Sequence, residues 1–360
     1  MKKPWTIMGA GMGGKGLAAQ LGIDGLRLRV YDVEESQISG IRDTGGLHVE
    51  GRDKVFAPIE MGTTDLAEAV KGADVILVST YGTVHEDVAT SLAPLLEDGQ
   101  AVVLIQGHFL GAVGFRTALD RAGCKAKVDV AEMDAYPYML TVKSPDRVLL
   151  TSVKKTWGLA AYPIARSQAV LDRIGFAFPG LCAAPDMLET AFADMGQIFH
   201  AGGIITNVGN VERDGEYNFY ASNMVPSVCN LLIAIDKERI AVADAFNVKT
   251  LDISTFLAEI YMLKDMSVHQ AMQEMAVTHY RYAPAPKSLE HRYLVQDVMC
   301  GLVPVAAFGR IAGVKTPVLD AVIQIASSLT GNDFYEEGRN AKNLGLEGKS
   351  IEDIKSMLAA

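Results

Sequence analysis

The sequence predicts a doubly wound α/β sheet over residues 1–184, followed by a mainly α-helical domain over residues 185–360. Three observations carry this expectation. Short apolar runs alternate with helical stretches through the first half, the pattern of parallel strands covered on both faces. The first of these runs ends in a glycine-rich turn that opens a helix. After Asp186, strand-like runs nearly vanish and a helical period takes over.

Taken in order, Trp5–Met8 is a short apolar strand and Lys15–Leu21 a helix. Leu26–Tyr31 alternates Leu and Val with Arg, as a strand does, and Glu34–Asp43 is a helix with one polar side. Leu47–Glu50 and Val55–Glu60 flank Gly51-Arg52-Asp53-Lys54, which reads as a hairpin turn. Leu66–Val70 is a short helix. Asp74–Ser79 and Ala101–Ile105 are buried strands, each followed by a helix, His85–Leu96 and Phe115–Ala122. Val128–Ala131 and Val148–Val153 read as the last strands of the sheet, with Pro163–Ile174 as a helix across them and the boundary near Pro179–Pro185. Beyond it, Asp186 caps a helix running to His200. Further helices are expected at Val225–Phe246, Leu251–Met262, Val268–Val277, Tyr293–Cys300, Val303–Ala312 and Val318–Ser328, with Tyr280–Pro286 as an irregular connector.

Bulk properties narrow the function. A chain of 360 residues exceeds one ordinary core, since domains cluster near ~100–200 residues. A net charge of −10 argues against nucleic acid, whose binding depends on neutralising phosphates. The four cysteines, Cys124, Cys182, Cys229 and Cys300, have no metal-ligand spacing, so no metal is expected and reduced thiols of a cytoplasmic protein are. The apolar stretch after Lys2-Lys3 breaks at Gly9, too early for a signal peptide, and no run approaches the ~20 apolar residues of a membrane span.

The glycine-rich turn, Gly9-Ala10-Gly11-Met12-Gly13-Gly14, holds GxGxxG at Gly9, Gly11 and Gly14. Gly9 permits the sharp exit from the strand, Gly11 lets the backbone approach a pyrophosphate, and Gly14 lets the helix lie close to the strand. The free N–H groups of the helix start, at Met12 and Gly13, suit the phosphates. Asp32 ends the next strand, where a carboxylate accepts both ribose hydroxyls and repels a 2′-phosphate. The combination predicts a Rossmann-type domain that binds NAD, with NADH favoured over NADPH.

Hydride transfer to a carbonyl or imine also needs an acid, a partner that holds it and a cation for a substrate carboxylate. Of seven histidines, His200 stands out because it sits among small residues in an apolar helix. His108 follows a strand's C-terminal end and so borders the cofactor crevice by topology. His85 reads as lying in a surface helix, and His269 and His279 as solvated or structural. Arg292 and Asp297 lie on one helical segment, five apart and so ~140° around an ideal helix. They serve one pocket only if Arg292 lies at the frayed start of that helix.

These residues resemble the opine dehydrogenases, a family that includes octopine and nopaline dehydrogenases and the bacterial carboxyethyl-norvaline type. The resemblance spans about Trp5 to Leu346. It is carried by Gly9–Gly14, by His200 with Asn207 and Tyr217–Ser227, and by Arg292-Tyr293, Asp297 and Gly301–Pro304, with Thr316-Pro317 and Asp333–Arg339. It implies His200 as catalytic acid, Asp297 as its partner and Arg292 as the substrate-carboxylate ligand. It further implies NAD(P)H-dependent reductive condensation of an amino acid with a 2-oxo acid such as pyruvate, through an imine. Two loops depart from the family pattern. Ser79–Thr83 lacks its usual Pro, and Gln106-Gly107-His108-Phe109 stands where Asn-Pro-Gly is expected. Tyr136 and Tyr138 either contact substrate or pack. A Met-rich segment around Tyr261–Tyr282 is expected to form the amine pocket, and the apolar helix at Val225–Ala245 is either a homodimer face or internal core.

Two other readings remain at this stage. A hydroxyacid dehydrogenase of the same two-domain plan would rely on a Lys early in the second domain, but no Lys lies between Lys155 and Lys237, so only a His-based version fits. A dinucleotide sensor without chemistry would predict a broken His, Asp and Arg set, and all three are present.

Overall fold

The computed structural model describes residues 3–51, 54–213, 216–281 and 285–360. The chain forms two compact units, Met1–Thr190 with Ser356–Ala360, and Ala191–Lys355. The division thus falls at Thr190/Ala191, a little beyond the expected boundary, and the last residues group with the first unit.

The first unit is built on an eight-stranded sheet. Its strands are β1 (Trp5–Met8), β2 (Leu28–Tyr31), β5 (Met61–Thr63), β6 (Val75–Val78), β7 (Ala101–Leu104), β8 (Asp129–Met133), β11 (Trp157–Tyr162) and β12 (Leu181–Ala183). They lie in the order β12-β11-β8-β7-β6-β1-β2-β5. All neighbours are parallel except β11 with β8. β1, β6 and β7 are buried at every residue, as continuous apolar runs require of a sheet covered on both faces. The strand order reverses beside β1, which puts the glycine turn after β1 at the switch point where such sheets bind ligands.

A second sheet of four strands contains β3 (Gly46–Glu50), β4 (Val55–Pro58), β9 (Tyr138–Ser144) and β10 (Arg147–Val153), in the order β4-β3-β10-β9. β3 and β4 form the expected antiparallel hairpin, although Arg52 and Asp53 at its tip lie outside the described residues. The assignment of Val148–Val153 to the main sheet is corrected here. That segment is β10, paired with β3 and β9. β9, β11 and β12 were not read as strands. β11 is rich in Gly and Ala, poor strand formers, and is held in the sheet by burial and pairing instead.

The second unit is helical. Pro226–Ala245 is its longest helix. It turns Val228, Leu232, Ile235 and Val242 into the unit, along with the buried ion pair Asp236–Arg239. That face is therefore internal core rather than a dimer surface. The single helix expected from Asp186 to His200 is two, Met187–Phe192 and Gly196–Ile205. Asp186 caps the first through the Leu188 N–H, and Asp194 breaks the run by accepting the Gly196 N–H at 2.9 Å. The segment expected as an α-helix at Tyr293–Cys300 is also different. A short α turn, Val295–Asp297, widens into a π turn over Val298–Leu302 before the α-helix Val303–Ala312. Helix Val295–Ala312 has the length and hydropathy of a membrane span, but 72% of it is buried inside the protein, as in a core helix.

Candidate active site

The glycine turn has the geometry each of its residues was expected to need. Gly9 has φ +92°, and a Cβ there would lie 2.7 Å from the Ser79 carbonyl oxygen. A Cβ on Gly14 would lie 1.6 Å from the Gly9 oxygen, so only glycine lets the helix Met12–Ile23 start this close to β1. Gly11 has no atom within 4 Å of its Cβ position and faces open space. A Cβ on Gly13 would meet Ser79 Oγ at 2.8 Å, so the loop after β6 closes against the turn without the missing Pro. Met12 heads the helix with an exposed side chain. Beside Gly9, Thr80 Oγ1 is buried with no partner among the described residues.

Asp32 Oδ2 accepts the Ala10 N–H at 2.6 Å and Oδ1 accepts the Glu34 N–H at 3.0 Å. The carboxylate therefore shapes the glycine turn, a duty the motif did not reveal. Each oxygen keeps a lone pair for a hydroxyl. Lys15 is buried behind it and bonds Gln37. Burial pulls the Lys15 pKa down, opposed by the charge of Asp32. An open backbone cradle at a helix start, an orphan hydroxyl and a carboxylate after β2 together fit a dinucleotide.

Tyr136 and Tyr138 pack. The Tyr136 hydroxyl donates to the Gly13 carbonyl, and Tyr138 is buried in the core beside it. His108 lies in a loop where Gln106, His108 and Leu110 all have positive φ, at 68°, 61° and 51°. Buried Glu132 anchors this loop. It accepts the Ala112 N–H at 2.7 Å, and its side chain fills the space a Cβ on Gly107 would need. His85, expected on a surface, is instead buried against Phe115.

The second unit brings together two of the predicted residues. His200 Nδ1 lies 2.6 Å from Asp297 Oδ2. Both groups are buried. Asp297 can only accept, so the neutral imidazole carries its proton on Nδ1 and presents Nε2 as the acceptor. Nε2 lies 3.0 Å from the Tyr220 hydroxyl. The Tyr293 ring stacks on the imidazole at 3.6 Å and 6°, which fixes its plane. Burial raises the Tyr220 and Tyr293 pKa values, so both remain neutral phenols.

Arg292 lies in the turn before the helix, the position that lets it share a site with Asp297. Its carbonyl accepts from both the Gln296 and Asp297 N–H groups, at 3.1 and 3.3 Å, so the ideal-helix angle does not apply. The guanidinium stands 4.8 Å from the centre of the Tyr293 ring and forms no ion pair among the described residues. His291 is pushed down to about 4, by burial first and then by the neighbouring Arg292 charge, and does not compete as an acid. Gly301 stays small because a Cβ would lie 2.3 Å from Gln197 Oε1, which seats the π turn against the His200 helix.

In the expected amine-pocket segment, Tyr261 and Tyr280 bond hydroxyl to hydroxyl at 2.7 Å, and Tyr280 packs 4.5 Å from Tyr220. Tyr282 lies outside the described residues. The Met cluster splits, with Met272 and Met275 in the core and Met262 and Met266 exposed. His269 is structural, bonded to the Met224 carbonyl. Tyr220 and Tyr280 are site features that sequence reading did not assign. The signal was an aromatic pair, which reads equally as core.

Comparison with known proteins agrees with this geometry. Residues 183–330 match the NAD/NADP octopine/nopaline dehydrogenase alpha-helical domain, and residues 4–111 match the NAD-dependent glycerol-3-phosphate dehydrogenase N-terminus. An opine dehydrogenase of Arthrobacter sp. (strain 1C) is 31% identical over 355 residues, covering 98% of each chain. The chain belongs to the opine dehydrogenase family. It is accordingly an NAD(P)-dependent oxidoreductase acting on a CH–NH group. The same fold occurs in octopine dehydrogenase with NADH and L-arginine, at a TM-score of 0.77 and 19% identity over 99% of this chain and 98% of that one. Octopine dehydrogenase with NADH and pyruvate superposes with a TM-score of 0.73 at 18% identity over 98% of each.

Proposed function

We propose that this opine dehydrogenase condenses the amino group of an amino acid with a 2-oxo acid of the pyruvate class and reduces the resulting imine, with NADH preferred. The observation that carries the reading is the buried His200–Asp297 pair beside an Arg292 that has no carboxylate partner among the described residues.

Arg292 takes the 2-oxo acid carboxylate, a bidentate task suited to guanidinium, and orients the keto carbon. As the amine attacks, His200 as imidazolium gives its Nε2 proton to the developing alkoxide. Asp297 stabilises that imidazolium and holds the ring. The now-cationic nitrogen returns a proton to neutral Nε2, which passes it to the carbinolamine hydroxyl; the C–O bond breaks, water leaves and the protonated imine remains. NADH, held by Gly9, Gly11, Met12, Gly13, Gly14 and Asp32, supplies the hydride when bound. The free thiols among the described residues accord with a cytoplasmic setting.

The test is NADH oxidation with pyruvate and each common amino acid in turn, beside pyruvate alone. Oxidation that requires both partners supports the proposal and names the amine. Equal oxidation with pyruvate alone overturns it in favour of hydroxyacid chemistry.

A further inference from the structure

The Nε2 atom of His200 is the one that must meet the carbonyl oxygen, because Asp297 holds Nδ1. That position already has an occupant. The Tyr220 hydroxyl sits 3.0 Å from Nε2, and Tyr220 is 2% exposed. The stacked Tyr293 keeps the imidazole from turning away, and Phe219 meets its edge with ring centres 5.9 Å apart. An oxygen arriving at Nε2 must therefore displace the phenol or share the place with it. Displacement costs the buried phenol its bond to Nε2, about 0.5–1.5 kcal/mol, and leaves it only the neighbouring Tyr280 hydroxyl. Sharing satisfies every group, since a carbonyl oxygen has two lone pairs and accepts two donors.

We propose that Tyr220 is a further catalytic residue, a second hydrogen-bond donor to the oxygen that His200 protonates. The proposal rests on the condensation chemistry above. In the free enzyme the phenol donates to neutral Nε2. With the 2-oxo acid in place it donates to the carbonyl oxygen, beside the imidazolium that forms when Nε2 takes a proton from the incoming ammonium group and frees the amine to attack. As the amine nitrogen bonds to carbon, the carbonyl π pair moves onto oxygen. His200 Nε2–H gives up its proton to that oxygen, while the Tyr220 proton stays on the phenol as a hydrogen bond. No further reactant is needed. A donor fixed in advance and out of water is suited to stabilising charge that develops only in the transition state. Burial holds the Tyr220 phenol well above its ordinary pKa, so it remains a donor throughout the working range. Tyr280, packed on Tyr220 and tied to Tyr261, is a positioning residue that keeps the phenol aimed.

The experiment is Tyr220→Phe, which keeps the ring and removes the donor. Loss of one oxyanion donor typically lowers kcat by ~10²–10³-fold. We expect at least a ~10-fold fall in kcat with the 2-oxo acid KM and NADH affinity unchanged, because Arg292 and the glycine turn are intact. Tyr280→Phe should cost only a few-fold. A Tyr220→Phe enzyme with kcat within two-fold of wild type overturns the proposal, as does a loss confined to KM. Should Tyr220→Phe fail to fold, difluorotyrosine incorporated at position 220 preserves the packing and makes the phenol more acidic. A kcat that follows phenol acidity supports the role, and an unchanged kcat removes it. The wild-type assay separates the two levels. If wild type needs no amine, the condensation reading fails. If wild type needs both substrates and the phenol variants match it, only the Tyr220 role fails.

Discussion

Asp297→Asn tests the centre of the site with little change of shape. The carboxylate lies 2.6 Å from His200 Nδ1 and both groups are buried, so its charge acts at close range with little screening. The amide has two ways to sit. If its oxygen faces Nδ1, the hydrogen bond survives without its charge. A charged partner contributes about 1.5–3 kcal/mol against about 1 for a neutral one. That difference, roughly 1–2 kcal/mol, is support lost to the imidazolium in the reaction, worth about a tenfold fall in kcat. If the NH₂ group faces Nδ1 instead, the ring adopts the wrong tautomer, and losses near ~10⁴-fold in kcat are known for that fault in a comparable dyad. The expected fall in kcat is therefore between ~10 and ~10⁴-fold. The assay is steady-state NADH oxidation with saturating amine and 2-oxo acid, followed across pH. A variant with kcat within three-fold of wild type at every pH would refute the pairing as a contributor to catalysis. Thermal unfolding within a few degrees of wild type excludes a folding defect.

Three further outcomes follow from the geometry. Arg292→Ala should raise the KM for the 2-oxo acid by ~10-fold or more and leave NADH affinity alone, since a charge-assisted carboxylate contact is worth about 1.5–3 kcal/mol; an unchanged KM removes Arg292 from the substrate site. Asp32→Ser should weaken NADH binding and narrow the preference over NADPH, as measured by titration calorimetry; equal use of both cofactors by the wild type would undercut the role given to the carboxylate. His291, pushed down to about 4, binds its proton less readily folded than unfolded, so the unfolded chain holds more protons between pH 4 and its ordinary value of 6.5. Its contribution to stability is present above that value and is lost as pH falls through this window; His291→Asn should flatten the dependence of Tm on pH there, and a parallel curve would contradict the burial argument.

How far the sequence reaches depends on whether a feature is local. β1, β6 and β7 were legible because their side chains are buried on both faces and read as unbroken apolar runs. β9 was not legible, because its half-exposed alternation follows a loop that ends in Pro137-Tyr138. β11 was hidden by Gly158, where a Cβ would lie 2.8 Å from Asp134 Oδ2. Glycine there serves close packing, and composition registers it as a weak strand. The glycine turn was read almost completely, because each role depends on backbone within a few residues. What escaped are its long-range contacts, the Ala10 N–H to Asp32, set by how β1 and β2 lie side by side, and the Tyr136 hydroxyl on the Gly13 carbonyl.

The site in the second unit has a different logic. His200 and Asp297 are 97 residues apart, and spacing alone could not pair them; the family resemblance did. Spacing could state the condition for Arg292 and Asp297 to share a pocket, that Arg292 lie outside the regular helix, but could not decide it. An α-helical reading of Tyr293–Cys300 separates them around the axis. The turn at Arg292 meets that condition, and a π segment, Val298–Leu302, follows Asp297. A π turn leaves no compositional mark, since its residues are as apolar as those of an α-helix, and such widened turns recur at functional sites. The one local trace is Gly301, a residue that weakens a helix interior unless close contact demands it, here with Gln197. The same close contact seats the segment carrying Asp297 against the helix carrying His200. A bulkier residue at 301 would therefore act on the dyad through backbone displacement, without touching either catalytic group.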